Sequence, residues 1–340
     1  MQRTDVNSLG EFGLIEHLTA HHELRNPSSV RGVGDDAAVI RNGDALTVVS
    51  TDFLVEGIHF DLAYTPLKHL GYKAVAVNVS DIAAMNAECK QITVSIAFSN
   101  RFSVEALDEL YEGIYAACKK YGVDLVGGDT TSSQRGLYIS ITAIGQVAED
   151  KVVYRNGARE GDIICVSGHL GGAYIGLQLF EREKEVFNAT GLQPELSENT
   201  YALGCLLKPE ARIDMVRLLA QYNIKPTAML DISDGLTSEI THICRQSAVG
   251  ALLEEGHIPI HTDTYNTAVM TFKIDPITCA LHGGEDYELL FTVRPEDLPA
   301  LRTMPSVYII GEICNAEQGI RMVTKGGNFH DLQAQGWTHF

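Results

Sequence analysis

Basic residues are scarce in this chain of 340 residues: 26 Lys and Arg stand against 44 Asp and Glu, a formal net charge of -18. A surface with that excess of negative charge repels nucleic acid and anionic membrane, so neither is an expected partner. An acidic protein that binds a polyphosphate needs metal ions between the two. The seven cysteines, Cys89, Cys118, Cys165, Cys205, Cys244, Cys279 and Cys314, are scattered with no C-x-x-C pair, which argues against a zinc site built on local ligand pairs. Their odd number and apolar settings predict buried, reduced thiols and a cytoplasmic protein. No stretch approaches the roughly 18 apolar residues of a membrane span, and Met1–Gly10 lacks an apolar signal core. G-x-x-x-x-G-K-[ST] is missing, as are H-R-D with D-F-G, H-E-x-x-H and G-x-S-x-G. P-loop, protein-kinase, zincin and serine-hydrolase chemistries lose their usual signatures with them.

What is present suits a large globular enzyme: 45% hydrophobic residues, 21% charged and 31 glycines. Periodicity predicts helices over 11–21, 67–85, 104–121, 209–222 and 233–247, and another from Ala173. Strands are predicted over 45–50, 91–98, 123–126, 137–147, 163–167, 228–232, 288–293 and 307–313, the one at 123–126 ending in Gly127-Gly128-Asp129. Asn26–Asp36 and Phe187–Glu198 read as loops, and Gly168–Gly172 as a strand-to-helix turn. A polar stretch, Glu149–Gly161, marks a boundary between domains at 1–150 and 151–340. The class is α/β (α+β), two domains of similar size, each a mixed sheet packed by helices.

Six acidic segments stand beside Gly, Ser or Thr at predicted strand ends: Gly34-Asp35-Asp36, Ser50-Thr51-Asp52, Ser80-Asp81, Gly127-Gly128-Asp129-Thr130, Asp231-Ile232-Ser233-Asp234-Gly235 and Gly283-Gly284-Glu285-Asp286. Short carboxylates are the ligands Mg²⁺ prefers alongside phosphate oxygens, and adjacent glycines let backbone N–H groups approach phosphates. Any one of these aspartates would serve equally as a turn former or helix N-cap. Their number favours one shared metal–phosphate site.

In this order the segments resemble the thiamine-monophosphate kinase family, within the superfamily of aminoimidazole-ribonucleotide synthetase-like ATP enzymes. The likeness runs along nearly the whole chain. It includes Gly10-Glu11-Phe12-Gly13, Gly57-Ile58-His59-Phe60, Asn78-Val79-Ser80-Asp81-Ile82-Ala83-Ala84-Met85, Arg155-Asn156-Gly157, Gly283-Gly284-Glu285-Asp286-Tyr287 and Gly336-Trp337-Thr338. Asn156 stands where Ser or Thr is expected. The resemblance implies phosphorylation of thiamine monophosphate by ATP, with the N-terminal domain forming a homodimer. It assigns Mg²⁺ to Asp36, Ser50, Thr51, Asp52, Asp81, Asp129, Asp231 and Asp234. ATP falls to Tyr111, Gly128, Asp129, Arg155 and Ser233, and the thiamine phosphate to His59, Glu285 and Trp337. Taken singly, Tyr111 at helical spacing with Leu107 and Ile114 reads as a core residue, and Trp337 as a C-terminal anchor. Two alternatives remain at this stage: another ATP enzyme of the superfamily, and a regulator that binds ATP–Mg²⁺ without turnover.

Overall fold

Two sheets, one from each half of the chain, meet across a single buried helix. The computed structural model describes residues 9–194, 196 and 199–333. In chain order the first half runs α1 (Gly10–Thr19), β1 (Ser29–Arg31), β2 (Ala38–Asn42), β3 (Ala45–Val55), α2 (Leu67–Ala84), β4 (Glu88–Phe98), α3 (Val104–Tyr121), β5 (Asp124–Ser132) and β6 (Leu137–Ala148). Its strands lie in the order β1-β2-β3-β6-β4-β5, antiparallel except for the pair β4–β5.

The second half contributes β7 (Ile163–Val166), α4 (Gly172–Thr190), α5 (Thr200–Leu207), α6 (Ile213–Gln221), β8 (Ala228–Asp231), α7 (Leu236–Ser247), β9 (Gly250–Glu254), α8 (Thr262–Asn266) and α9 (Pro276–His282). It closes with β10 (Leu289–Val293), α10 (Leu298–Leu301), β11 (Tyr308–Cys314), β12 (Ile320–Val323) and β13 (Phe329–Asp331). These strands order as β13-β12-β9-β11-β7-β10-β8, with only β9–β12 parallel. Ile240 and Ile243 of α7 pack on one face of this sheet, Met215 and Leu219 of α6 on the other.

The long helix α2 is buried nearly all round, from Leu70 to Ala84, as its continuous Ala/Val composition requires. It packs on β3, β4 and β6 of the first sheet and on β8 of the second. Its last residues, Ala83 and Ala84, join the cluster of Met215, Met229 and Phe291. α3 crosses it so closely that a Cβ on Gly71 would fall 2.0 Å from the Leu110 carbonyl oxygen, and one on Gly113 1.9 Å from that of Lys68. α3 itself has conventional ends: the Ser103 hydroxyl accepts from the Ala106 N–H, and left-handed Gly122 closes it. Among the described residues no layer covers the outward face of the first sheet. Phe53 there is 55% exposed and stacks on Tyr138, and Val126 on β5 is exposed as well.

Several elements differ from the sequence reading. β5 does not end at Gly127-Gly128-Asp129 but continues to Ser132, paired with β4 throughout. Gly128 is required inside the strand because a Cβ would lie 1.8 Å from the Val94 carbonyl oxygen. α4 extends to Thr190, where left-handed Gly191 stops it, so the expected loop is helical over its first four residues. α6 starts at Ile213 rather than Pro209, and α7 at Leu236 rather than Ser233. β2, α5, β9, α9, β12 and β13 carried no sequence expectation.

Replacing Gly71 or Gly113 by Ala forces a backbone carbonyl aside at the α2–α3 crossing. Each substitution is expected to cost about 2–3 kcal/mol, the upper range of overpacking effects, measured by urea unfolding.

Candidate active site

α2 aims polar groups at one place. Lys73, Val77 and Asp81, spaced i, i+4, i+8, share one face of the helix and line a cleft of about 470 Å³. The first half adds Asp52, His59, Asp61 and Tyr64; the second adds Glu181, Asp231, Ser233, Asp234 and Glu285. Both halves therefore build the cleft.

At its floor, carboxylate oxygens of Asp36, Asp81 and Asp231 lie within 4.8 Å of one another. Asp36 comes from the loop before β2, Asp81 from α2 and Asp231 from the end of β8. The Ser50 hydroxyl donates to Asp81, and the Ser80 hydroxyl to Asp231 at 2.5 Å. Arg155 donates to Asp36 Oδ1 at 2.7 Å, while Asp36 Oδ2 is buried with no partner. Asp52 extends the acidic wall, its backbone N–H held by Asn78 Oδ1 at 3.0 Å.

Burial and mutual repulsion set these acids. Burial, then the Asp36 charge, pushes Asp231 up to about 7. Burial, then Glu285, pushes Asp52 up to about 6. Asp81 is driven well above the carboxylate range by burial and the charges of Asp52, Asp231 and Asp36. Burial also raises Asp36, against the pull of Arg155. Hard oxygen donors, gathered where repulsion is unrelieved and one buried oxygen has no partner, fit a divalent cation such as Mg²⁺.

A second loop is clasped over the end of β8. Glu285 N–H donates to the Ser233 carbonyl at 2.7 Å, and Tyr287 N–H to that of Ile232 at 2.9 Å. Glu285 and Tyr287 both adopt left-handed backbone, φ 60° and 51°, a strain found where function holds a side chain in place. Ser233 and Asp234 are kept out of α7 by this arrangement: the Asp234 N–H donates to buried Glu239 at 3.0 Å. His59 faces the cleft and accepts the Val55 N–H on Nδ1 at 3.0 Å.

Not every expected residue converges. The alternation of β3 turns Thr51 to the face opposite Ser50 and Asp52, where its hydroxyl donates to the Ile141 carbonyl at 3.1 Å. Gly128 and Asp129 sit on exposed β5, separated from β3 by β6 and β4 and outside the three-carboxylate cluster. Arg155 reaches the cluster through Asp36. Tyr111 packs against the first core and edge-on to Tyr115, away from the cleft lining. Trp337 lies outside the described residues. Sequence reasoning missed Lys73, concealed in an apolar helix. Asp35 and Asp286 stood in the acidic segments without an assigned role: the Asp35 carboxylate turns to Arg31 and the Arg155 N–H, and Asp286 accepts the Gly171 N–H before α4 at 2.8 Å.

Residues 34–147 match the family model of the AIR synthase related protein N-terminal domain. Thiamine-monophosphate kinase of Bacillus subtilis is 35% identical over 297 residues, covering 86% of each chain. The chain belongs to the thiamine-monophosphate kinase family. The Aquifex aeolicus member is 32% identical over 335 residues, 98% of this chain and 99% of that one. A solved structure of AaThiL complexed with AMPPCP and TMP superposes with a TM-score of 0.84 at 31% identity, covering 100% of both chains. Family membership makes this chain a kinase, and the fold just described is the family's.

The cluster has a pH signature. Folded-state affinities of Asp52 and Asp231 for protons exceed those of the unfolded chain, so the folded protein binds more protons between about pH 4 and 7. Their contribution to stability is full below pH 4 and is lost as pH rises through 6 to 7. Without divalent cations, Asp231→Asn should therefore raise Tm at pH 8 by at least about 2 °C and change it little at pH 4. Thermal unfolding at the two pH values measures this.

Proposed function

We propose that the chain transfers the γ-phosphoryl group of ATP directly and in line to the phosphate of thiamine monophosphate, giving thiamine diphosphate, assisted by several Mg²⁺ ions. The observation that carries this reading is the three-carboxylate floor with its unpartnered Asp36 oxygen, set in a cleft of substrate size. The whole-length likeness to a chain solved with an ATP analogue and TMP supports it.

Asp36, Asp81 and Asp231 would hold one ion, and Asp52 and Asp234 on the cleft wall would hold others. Bound Mg²⁺ would polarise phosphoryl oxygens and screen the charge of two approaching phosphates. Ser50 positions Asp81, and Arg155 positions Asp36. Ser233 would flank the nucleotide, while Gly128 and Asp129 would meet one that extends along the sheet to β5. His59 and Glu285 would face the acceptor, with Trp337 closing over it. The acceptor is a phosphate monoester with a second pKa of about 6, so it is largely dianionic at neutral pH and needs no general base.

In this reading residues 1–150 bind ATP–Mg²⁺ and dimerise, and 151–340 complete the cleft. The bare outward face of the first sheet, with Phe53 and Val126 exposed, suits a second copy of the chain. The unbridged, mostly buried cysteines suit a cytoplasmic enzyme.

Incubation with ATP, Mg²⁺ and thiamine monophosphate is expected to yield thiamine diphosphate; ATP consumption without that product would overturn the reading. Asp52→Asn should lower kcat at least about 100-fold, the scale of one lost electrostatic stabiliser, while Tm holds or rises. Phe53→Glu should convert a dimer to a monomer in gel filtration, and an unchanged elution volume would move the interface elsewhere.

A further inference from the structure

Lys73 is a buried cation that the proposed chemistry has not yet used. Its side chain is 4% exposed, on the α2 face that lines the cleft, and it forms an ion pair with Glu285 from the other half of the chain. Apart from Lys73 and Lys184, the Asp, Glu, Lys and Arg residues of the cleft lining are all acidic among the described residues. Its one other Lys or Arg, Lys184, is tied at 2.8 Å to Asp61 and at 3.2 Å to Glu181. The two members of the pair differ in freedom. Glu285 is fixed by left-handed backbone, by its N–H bond to Ser233 and by the Tyr287 hydroxyl at 3.3 Å. Lys73 ends a flexible four-carbon stem with three rotating donors. An ion pair with one buried member contributes little net stability, yet removing Glu285 leaves Lys73 as a costly buried charge.

We infer that the acceptor takes this pair apart: its phosphate replaces Glu285 at Lys73, and its thiazolium cation replaces Lys73 at Glu285. The inference rests on thiamine monophosphate being the acceptor. That molecule carries both charges, so buried Lys73 and half-buried Glu285 each exchange one opposite charge for another and neither is left alone. Unphosphorylated thiamine satisfies Glu285 but strands Lys73. A phosphate monoester without a cation satisfies Lys73 but strands Glu285. A site built around a pair rejects the analogue that leaves half of it unpaired. Lys73 is thereby a specificity-determining and substrate-binding residue, and Lys73–Glu285 selects a zwitterion.

The test uses the full-length protein, with steady-state KM values for thiamine monophosphate and ATP and the inhibition constant of thiamine. If the native protein does not turn over thiamine monophosphate, the proposed function itself fails; the variants decide only the pair. Lys73→Met should raise the thiamine monophosphate KM about 10- to 100-fold, the scale for a charged hydrogen bond. The thiamine inhibition constant should change less than about threefold or improve, since Glu285 is freed, and the ATP KM should hold. Equal losses for thiamine and its phosphate would show that Lys73 only supports Glu285. A rise in ATP KM alone would place Lys73 on the nucleotide. Either result, or no change at all, overturns the inference. Should Lys73→Met fail to fold by thermal unfolding, Glu285→Gln decides. It should weaken thiamine and thiamine monophosphate by similar factors, and unchanged thiamine binding would overturn the exchange.

Discussion

A helix buried on every side can carry polar groups only where other elements answer them, and α2 is such a helix. Each polar side chain on its inner turns has a partner from elsewhere or is used in place. Lys73 meets Glu285, Asn78 accepts the Asp52 N–H, Ser80 donates to Asp231, and Asp81 accepts from Ser50. A buried polar group left without its partner costs about 1–3 kcal/mol, so these contacts fix how the two sheets sit on the helix. The same contacts form the wall and floor of the cleft. Assembly of the two halves and assembly of the site are one event, placed at the C-terminal half of α2.

The distribution of charge follows from that placement. Elsewhere most acidic side chains, Asp162 and Glu239 apart, keep contact with solvent, where screening makes their charge tolerable. At the floor of the cleft three carboxylates share a space that one cation could span. A fold selected for stability alone would replace Asp81 or Asp231 with a neutral residue, because burial and repulsion hold both above the ordinary carboxylate range. Keeping them destabilises the protein, a cost that a bound cation would offset.

Local patterns in the sequence carried the elements whose structure is locally determined. α3 has its cap, its apolar stripe and its terminal glycine within one segment, and β6 alternates cleanly, so both stand where the sequence placed them to within a residue. Most of the acidic floor was legible as well, from the recurrence of Asp beside small residues. What the sequence did not reveal depends on pairing between distant segments. Nothing in Asp35-Asp36 says which pairs with Arg31 and which joins Asp81 and Asp231. Gly127-Gly128 looks like a turn until the close approach of Val94 is known. Thr51 lost its expected place through simple strand alternation, a signal that was readable but overridden by the motif around it. Lys73 was hidden because a lone lysine in a run of Ala and Val reads as a snorkelling surface residue, and its partner stands 212 positions away.

The burial of α2 between an early and a late sheet also has a consequence for synthesis. The helix and the first sheet leave the ribosome long before Asp231 and β8 are made. At about 5–20 residues per second, the stretch from Ala148 to Asp231 takes roughly 4–17 s. Throughout it the nascent chain exposes the apolar side of α2 that Met215, Met229 and Phe291 will later cover. A slow stretch of translation within the second half would lengthen that exposure.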